Sequence, residues 1–180
     1  MVGVILGFVG ALVVAVVAIG IVFVLGMRAK SPLVQGAVIA MGKHGFNRIG
    51  LRTAGQAGAS TARIHHLGRT SGRMYETPVG AVATDDGFLI SLPYGLRSQW
   101  LRNVLASGSA RLDHDGHSYE VGKPEMIPLK TVETLFGSGD QTMHRLFDVR
   151  QVLRLRRMDA GAATDEAVTI GSTDHIASAA

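Results

Sequence analysis

The sequence predicts a mainly β domain with helices, a small closed or partly open β-barrel, carried behind one membrane-spanning helix. Three observations predict it. The segment from Val2 to Met27 has no charged side chain. Beyond residue 60, runs of β-forming residues are separated by Asp-Gly turn signals. Nothing in the chain alternates strand and helix as a βαβ unit does, so a dinucleotide-binding domain is not expected.

The apolar segment comes first. A helix rises ~1.5 Å per residue, so roughly 25 residues outreach the ~30 Å hydrocarbon core of a bilayer. Such a helix also satisfies its own backbone hydrogen bonds, which lipid cannot do. No basic residue precedes it, and Gly26-Met27-Arg28-Ala29-Lys30 is a poor cleavage site, so a retained anchor is expected rather than a signal peptide. Arg28, Lys30, Lys43, Arg48 and Arg52 follow the span and none precedes it. That asymmetry predicts a single-pass protein of the cell membrane with its C-terminal domain in the cytoplasm. The chain has no cysteine, which excludes disulfides.

The residues beyond the anchor suffice for one domain with its own core. A formal charge of +4 with 6% aromatic residues is not the footprint of a nucleic-acid binder. The basic residues beside the span face anionic lipid, at about 1 kcal/mol each near the surface. We therefore divide the chain into an anchor (1–27), a juxtamembrane helix and linker (28–60), a barrel with a C-terminal helix (61–158) and a disordered acidic tail (159–180).

Ser31-Pro32 reads as an N-cap and first turn, and Leu33, Val34, Ala37, Val38 and Met41 follow at helical spacing. Thr53 to Ser60 is a Gly/Ala-rich connection. Thr61–Leu67, Met74–Thr84 and Gly87–Leu92 read as strands, with Asp85-Asp86-Gly87 as a hairpin turn. Ser98 caps a helix through Trp100, Leu101, Val104 and Leu105 that Gly108 closes. Ala110–His114 and His117–Val121 form a second hairpin around Asp115-Gly116, and Pro124 and Pro128 argue for an edge position. A last helix is expected from about Asp140, with Met143, Leu146, Phe147 and Leu153 on its apolar face. Arg150, Arg154, Arg156 and Arg157 crowd its end.

Three features carry chemistry. Gly68-Arg69-Thr70-Ser71-Gly72-Arg73 joins two strands and offers backbone N–H groups, hydroxyls and two guanidinium groups, the donor set of an anion cradle. It lacks P-loop spacing, and a plain solvated turn is the competing reading. Ser91-Leu92-Pro93-Tyr94-Gly95 breaks an apolar strand just before a helix. Gln99-Trp100-Leu101-Arg102-Asn103 opens that helix, where free N–H groups attract anions; a lone Trp100 there is otherwise core packing. His65 and His66 are adjacent on a strand, point to opposite faces and cannot chelate one metal. His114 and His117 flank a turn and read as a solvated hairpin tip. No metal site and no nucleophile elbow is expected.

In order and spacing these blocks resemble the deazaflavin (F420)-dependent nitroreductase family, also called F420H2-dependent quinone reductases. The resemblance rests on Ile64–Arg73 with Thr77-Pro78-Val79, on Leu92–Gly95 with Trp100–Asn103, and on Phe147–Arg150 with Leu153–Arg156, spanning about Leu51 to Met158. It implies a split β-barrel of the FMN-binding type holding coenzyme F420. Arg69, Thr70 and Ser71 would contact the phosphate. Tyr75, Glu76, Thr77, Pro78, Val79 and Gly80 would run along the coenzyme. Ser91, Leu92, Pro93 and Tyr94 would meet the deazaflavin, and Gln99, Trp100, Leu101, Arg102 and Asn103 would close the pocket. The implied reaction is hydride transfer from reduced F420 to a menaquinone-like quinone or a nitro compound. The chain departs from the family at Thr70, where many relatives carry Lys or Arg. It also lacks late tyrosines over the substrate, having only Tyr75, Tyr94 and Tyr119. The alternative is a non-catalytic split barrel that binds a flavin, haem or lipid-like ligand at the membrane. The proton donor, the physiological acceptor and the oligomeric state are left open.

Overall fold

The computed structural model describes residues 2–41 and 47–158. The acidic tail and Lys43 of the juxtamembrane cluster lie outside them.

Helix α1 (Val2–Arg28) is the expected apolar segment. Ile5–Arg28 has a mean hydropathy of 3.1 in its most apolar window and is long enough to cross a membrane. Its last turn packs on the domain: Met27 is fully buried and Phe23 meets the Phe147 ring edge-on at 6.0 Å. Helix α2 (Pro32–Met41) starts where Ser31-Pro32 predicts it. It folds back closely on α1, for a Cβ on Gly26 would collide with Val34. Helix α3 (Asn47–Thr53) was not foreseen, because a seven-residue helix with an internal glycine carries little periodic signal.

The domain is one antiparallel sheet of β1 (Ala62–Leu67), β2 (Met74–Val79), β3 (Ala81–Thr84), β4 (Gly87–Ser91), β5 (Ser109–His114), β6 (His117–Pro128) and β7 (Gln151–Arg157). The strand order is β2-β1-β5-β6-β7-β4-β3. The expected single strand Met74–Thr84 is two: β2 pairs with β1 at one edge and β3 with β4 at the other. Only Gly80 separates them, so the chain steps from one sheet edge to the other, and Ser91 donates its N–H to the Gly80 carbonyl at 3.0 Å across the seam. The sheet is thereby curled into the expected split β-barrel.

Its interior is filled by Ile64, Phe88, Ile90, Leu101, Val104, Leu112, Val121, Leu153 and Leu155, with Trp100. Helix α4 (Gln99–Ser107) closes one end, its Trp100, Leu101 and Val104 facing the barrel. Gly108 ends it at φ 74°, as expected, and the N–H of Gly108 bonds to Val104 O. Ser98 stands at the other end but donates its hydroxyl to Gly95 O rather than accepting from the helix.

Two further expectations fail. The last helix, α5, spans only Ser138–Leu146, and the segment carrying Leu153, Arg154, Arg156 and Arg157 is strand β7. Asp148 at φ 50° turns the chain out of the helix. Val152, Leu153 and Leu155 are then buried between β4 and β6, and Arg154 and Arg156 reach Asp86 instead of a helix terminus. Strand β6 is not an edge, for β5 and β7 flank it. Pro124 is tolerated because a register shift between Gly122 and Glu125, with Lys123 at φ 52°, lifts it from the ladder.

Basic residues do sit at the end of α5: its own Arg145, and two from the juxtamembrane segment. Arg28 Nη1 donates to Arg145 O at 2.7 Å and Lys30 Nζ to Phe147 O at 2.7 Å. The last carbonyls of α5 thus receive cations where the helix dipole favours them.

Candidate functional site

The loop Gly68–Arg73 turns tightly. Gly68 N–H donates to Arg73 O at 2.7 Å, and Gly72, at φ 62°, donates to Gly68 O at 2.8 Å. A Cβ on Gly68 would run into Ser71 Oγ and the Tyr75 ring, so a larger residue there must displace both side chains. With these bonds made, the Thr70 and Ser71 N–H groups have no partner among the described residues. The loop therefore keeps donors facing outward.

The loop is clamped to the start of α4. Arg69 donates from Nη1 to Asn103 Oδ1 at 2.9 Å, from its backbone N–H to the same oxygen at 3.3 Å, and from Nη2 to Gln99 Oε1 at 3.0 Å. Asn103 is buried and its Nδ2 lies 3.1 Å from His66 Nδ1. His66 Nε2 lies 3.1 Å from Thr77 Oγ1, and its ring stacks on Tyr75 at 5.9 Å. Tyr75 OH is 3.2 Å from Ser71 Oγ. Six of the residues expected from sequence — Arg69, Ser71, Tyr75, Thr77, Gln99 and Asn103 — thus form one connected group. The hub is His66, which the sequence reading weighed only as a metal ligand.

The other expected residues divide by simple geometry. Alternation puts Tyr75, Thr77 and Val79 on the face that carries Ile64 and His66. Glu76 and Pro78 lie on the opposite face, where Glu76 meets His65 at 3.5 Å and Arg63 at 3.6 Å. Trp100 and Leu101 are core residues. Thr70 is exposed at the loop tip, and Gly80 marks the seam between β2 and β3. Arg73 and Arg102 are exposed, with no side-chain hydrogen bond or ion pair among the described residues.

The segment Ser91–Tyr94 faces a different neighbourhood. Ser91 Oγ is 2.8 Å from buried His144 Nε2, and Pro93 O accepts from Lys30 Nζ at 3.4 Å. Leu92 lines a cavity of about 340 Å³ with Lys30, Gly95, Leu96, Asp148, Val149 and Arg150. Tyr94 lines one of about 190 Å³ with Pro32, Gln35, Arg97 and Ser98. Both cavities lie between the barrel and the juxtamembrane segment Lys30–Gly36.

Burial sets the charge states. His66 is 4% exposed, and burial, assisted by the neighbouring His65, pushes its pKa down to about 4. Burial also lowers the pKa of His144 and that of Lys30. On the far side of β1, His65 meets Asp113 at 2.7 Å; burial raises the Asp113 pKa, but bonds from Ser118 and His65 outweigh it and leave it lowered. Among the described residues no group of three or more His, Asp or Glu side chains could hold a metal. His114 and His117 do face each other across the β5–β6 turn.

No family model matches the chain, and no curated protein is significantly similar to it. Solved structures do resemble it. One is the heme storage protein HutZ from Vibrio cholerae, with 12% identity over 56% of this chain and 82% of that one and a TM-score of 0.44. Another is an F420 reductase, with 12% identity over 55% of this chain and 86% of that one and a TM-score of 0.39. A third is a conserved hypothetical protein from Mycobacterium tuberculosis, with 14% identity, 57% and 78% coverage and a TM-score of 0.37. The chain's own sheet order makes it a split-barrel protein with one apolar N-terminal helix.

Proposed function

We propose that this protein is an oxidoreductase, anchored in a membrane by α1, that uses reduced coenzyme F420 to reduce a menaquinone-like quinone or a nitro compound. The observation that carries the reading is the Arg69 clamp. It draws sequence blocks some 30 residues apart, centred on Arg69, Gln99 and Asn103, onto one surface. The donor set there fits an anionic group: the Thr70 and Ser71 N–H groups, their hydroxyls and the guanidinium groups of Arg73 and Arg102. Arg69 itself is engaged within the protein, which shifts the phosphate contacts towards Arg73 and Arg102.

When bound, the coenzyme supplies a hydride from C5 of its deazaflavin ring. The chain's part is to hold and orient it. Thr70, Ser71, Arg73 and Arg102 would take the phosphate end. The row Tyr75, Thr77 and Val79 would take the ring, and α4 would wall the pocket. An anchored reductase meets a soluble coenzyme on one side and a lipid-soluble acceptor on the other, which is the use the anchor gives it.

The test uses the full-length chain in detergent micelles. It should bind oxidised F420 saturably and, with the reduced form, pass electrons to menaquinone. Arg73→Ala should weaken F420 binding about 10- to 100-fold, the range of a lost charge-assisted hydrogen bond. Arg69→Ala should weaken it too, by releasing the loop from α4. Absence of binding by the wild-type chain refutes the reading. Binding without turnover favours the second reading, a non-catalytic carrier of a flavin, haem or lipid-like ligand.

Orientation has its own test, because the chain has no cysteine. Lys130→Cys places a single thiol at an exposed turn of the domain. A membrane-impermeant maleimide should label it in inverted vesicles and not in intact cells. Labelling of intact cells would reverse the orientation.

A further inference from the structure

The hydrogen bonds between Arg69 and Thr77 have only one consistent direction. A guanidinium has donors and no acceptor, and it stays charged. Arg69 presents two donors to Asn103, its Nη1 and its backbone N–H, so the Asn103 oxygen must face it. The amide of Asn103 then turns its Nδ2–H towards His66 Nδ1, 3.1 Å away. A flipped amide would set donor against donor at Arg69. His66 Nδ1 is therefore an acceptor and carries no proton. The neutral ring holds its proton on Nε2 and donates it to Thr77 Oγ1 at 3.1 Å.

Thr77 is the last member. Its oxygen accepts from His66, so its own O–H is left to donate, and the described residues supply no other side-chain partner for it. It is half-buried on the same face of β2 as Tyr75 and Val79. A chain of bonds that starts on a fixed positive charge polarises each successive donor. We propose that His66 is a positioning residue, whose fixed tautomer makes the Thr77 hydroxyl a one-way hydrogen-bond donor to a carbonyl or other acceptor atom of the ligand lying along β2. That ligand is the deazaflavin ring on the reading given above. The direction of the chain itself does not depend on that reading.

The surroundings support a neutral ring. His66 faces the Asn103 amide from α4, Thr77 and the Tyr75 ring from β2, and has His65 as its neighbour on β1. Arg69 reaches it only through Asn103, and no carboxylate bonds to it among the described residues. Protonation at Nδ1 would meet the Asn103 Nδ2–H head on.

Two measurements on the full-length chain in micelles test this. Nitrogen-15 spectra of histidine-labelled protein, with the His66 signals assigned by their loss in His66→Gln, should show a neutral ring protonated at Nε2 at pH 7. A charged ring, or one protonated at Nδ1, overturns the proposal. Titration with oxidised F420 should give about tenfold weaker binding for Thr77→Val and near-wild-type binding for Thr77→Ser, which keeps the hydroxyl. His66→Leu should weaken binding as Thr77→Val does. His66→Gln should restore most of the affinity, since its amide offers one acceptor and one donor; a purely space-filling role would not distinguish Leu from Gln in that way. Wild-type affinity in Thr77→Val overturns the donor role. If the wild-type chain binds no deazaflavin, the proposed function falls and with it the ligand named here, while the spectra still decide the direction of the chain.

Discussion

Gly87→Ala is expected to destabilise the domain by about 3 kcal/mol or more, the range of severe overpacking in a core. Gly87 opens β4 opposite Arg156 of β7 and is buried. A Cβ there would fall on the Leu155 carbonyl oxygen and crowd Arg156 Cα. The obstacle is backbone on the neighbouring strand, so no side-chain rotation relieves it. The β4–β7 pairing must open, and β4 carries Phe88 and Ile90, both fully buried. The β3–β4 turn suffers too, because Arg154 and Arg156 converge there on Asp86, which their contacts hold below the usual carboxylate range. Denaturant titration of the full-length chain in micelles, followed by Trp100 fluorescence, gives the loss. A change under about 1 kcal/mol would mean that the pairing yields more easily than its geometry implies.

That glycine also illustrates what the sequence could reveal. Asp85-Asp86-Gly87 marked the hairpin correctly, because turn chemistry is local. The same is true of Asp115-Gly116 and of Gly108 at the end of α4. What lay beyond local signals was pairing. Leu153 and Leu155 with intervening arginines fit a helix face or a strand about equally well. The choice was made by the vacancy between β4 and β6, which no local window contains. Pro124 misled for a related reason: it excludes a regular ladder position, but a bulge at Lys123 supplies an irregular one inside the sheet. Gly80 hid the division of one run of β-forming and small residues into two strands on opposite edges.

The site was legible as blocks and not as a connection. Arg69, Gln99 and Asn103 were singled out, yet nothing in their spacing says that Arg69 faces α4 rather than a ligand. Two of the five β2 residues assigned to the pocket go against the period of a strand: Glu76 and Pro78 must point away if Tyr75 and Thr77 point in. His66 was missed because it was judged only against metal chelation. Its signal was available. It falls on the same face as Ala62 and Ile64, both buried in the core, just before the Gly-Arg loop, where a polar ring needs partners.

Burial gives His66 a measurable signature in the pH dependence of stability. Its folded pKa of about 4 lies below the ordinary histidine value of about 6.5. Between those values the unfolded chain binds a proton at this ring and the folded chain does not, so stability falls as pH drops from about 6.5 to about 4. Below that window the folded ring titrates as well and the loss levels off, at on the order of 3 kcal/mol from this group. His144 is also lowered by burial and adds in the same direction. The lowered carboxylates Asp86, Asp113 and Asp148 act with the opposite timing: their stabilisation is intact above the unfolded carboxylate range and disappears as pH falls below it. The two effects therefore separate along the pH axis. Denaturation of the full-length chain from pH 7.5 to 4 should show the histidine slope, and His66→Gln, which has no proton to gain in this range, should remove the larger part of it. An unchanged slope in His66→Gln would show that the folded ring takes up a proton as readily as the unfolded one and that burial does not hold it neutral.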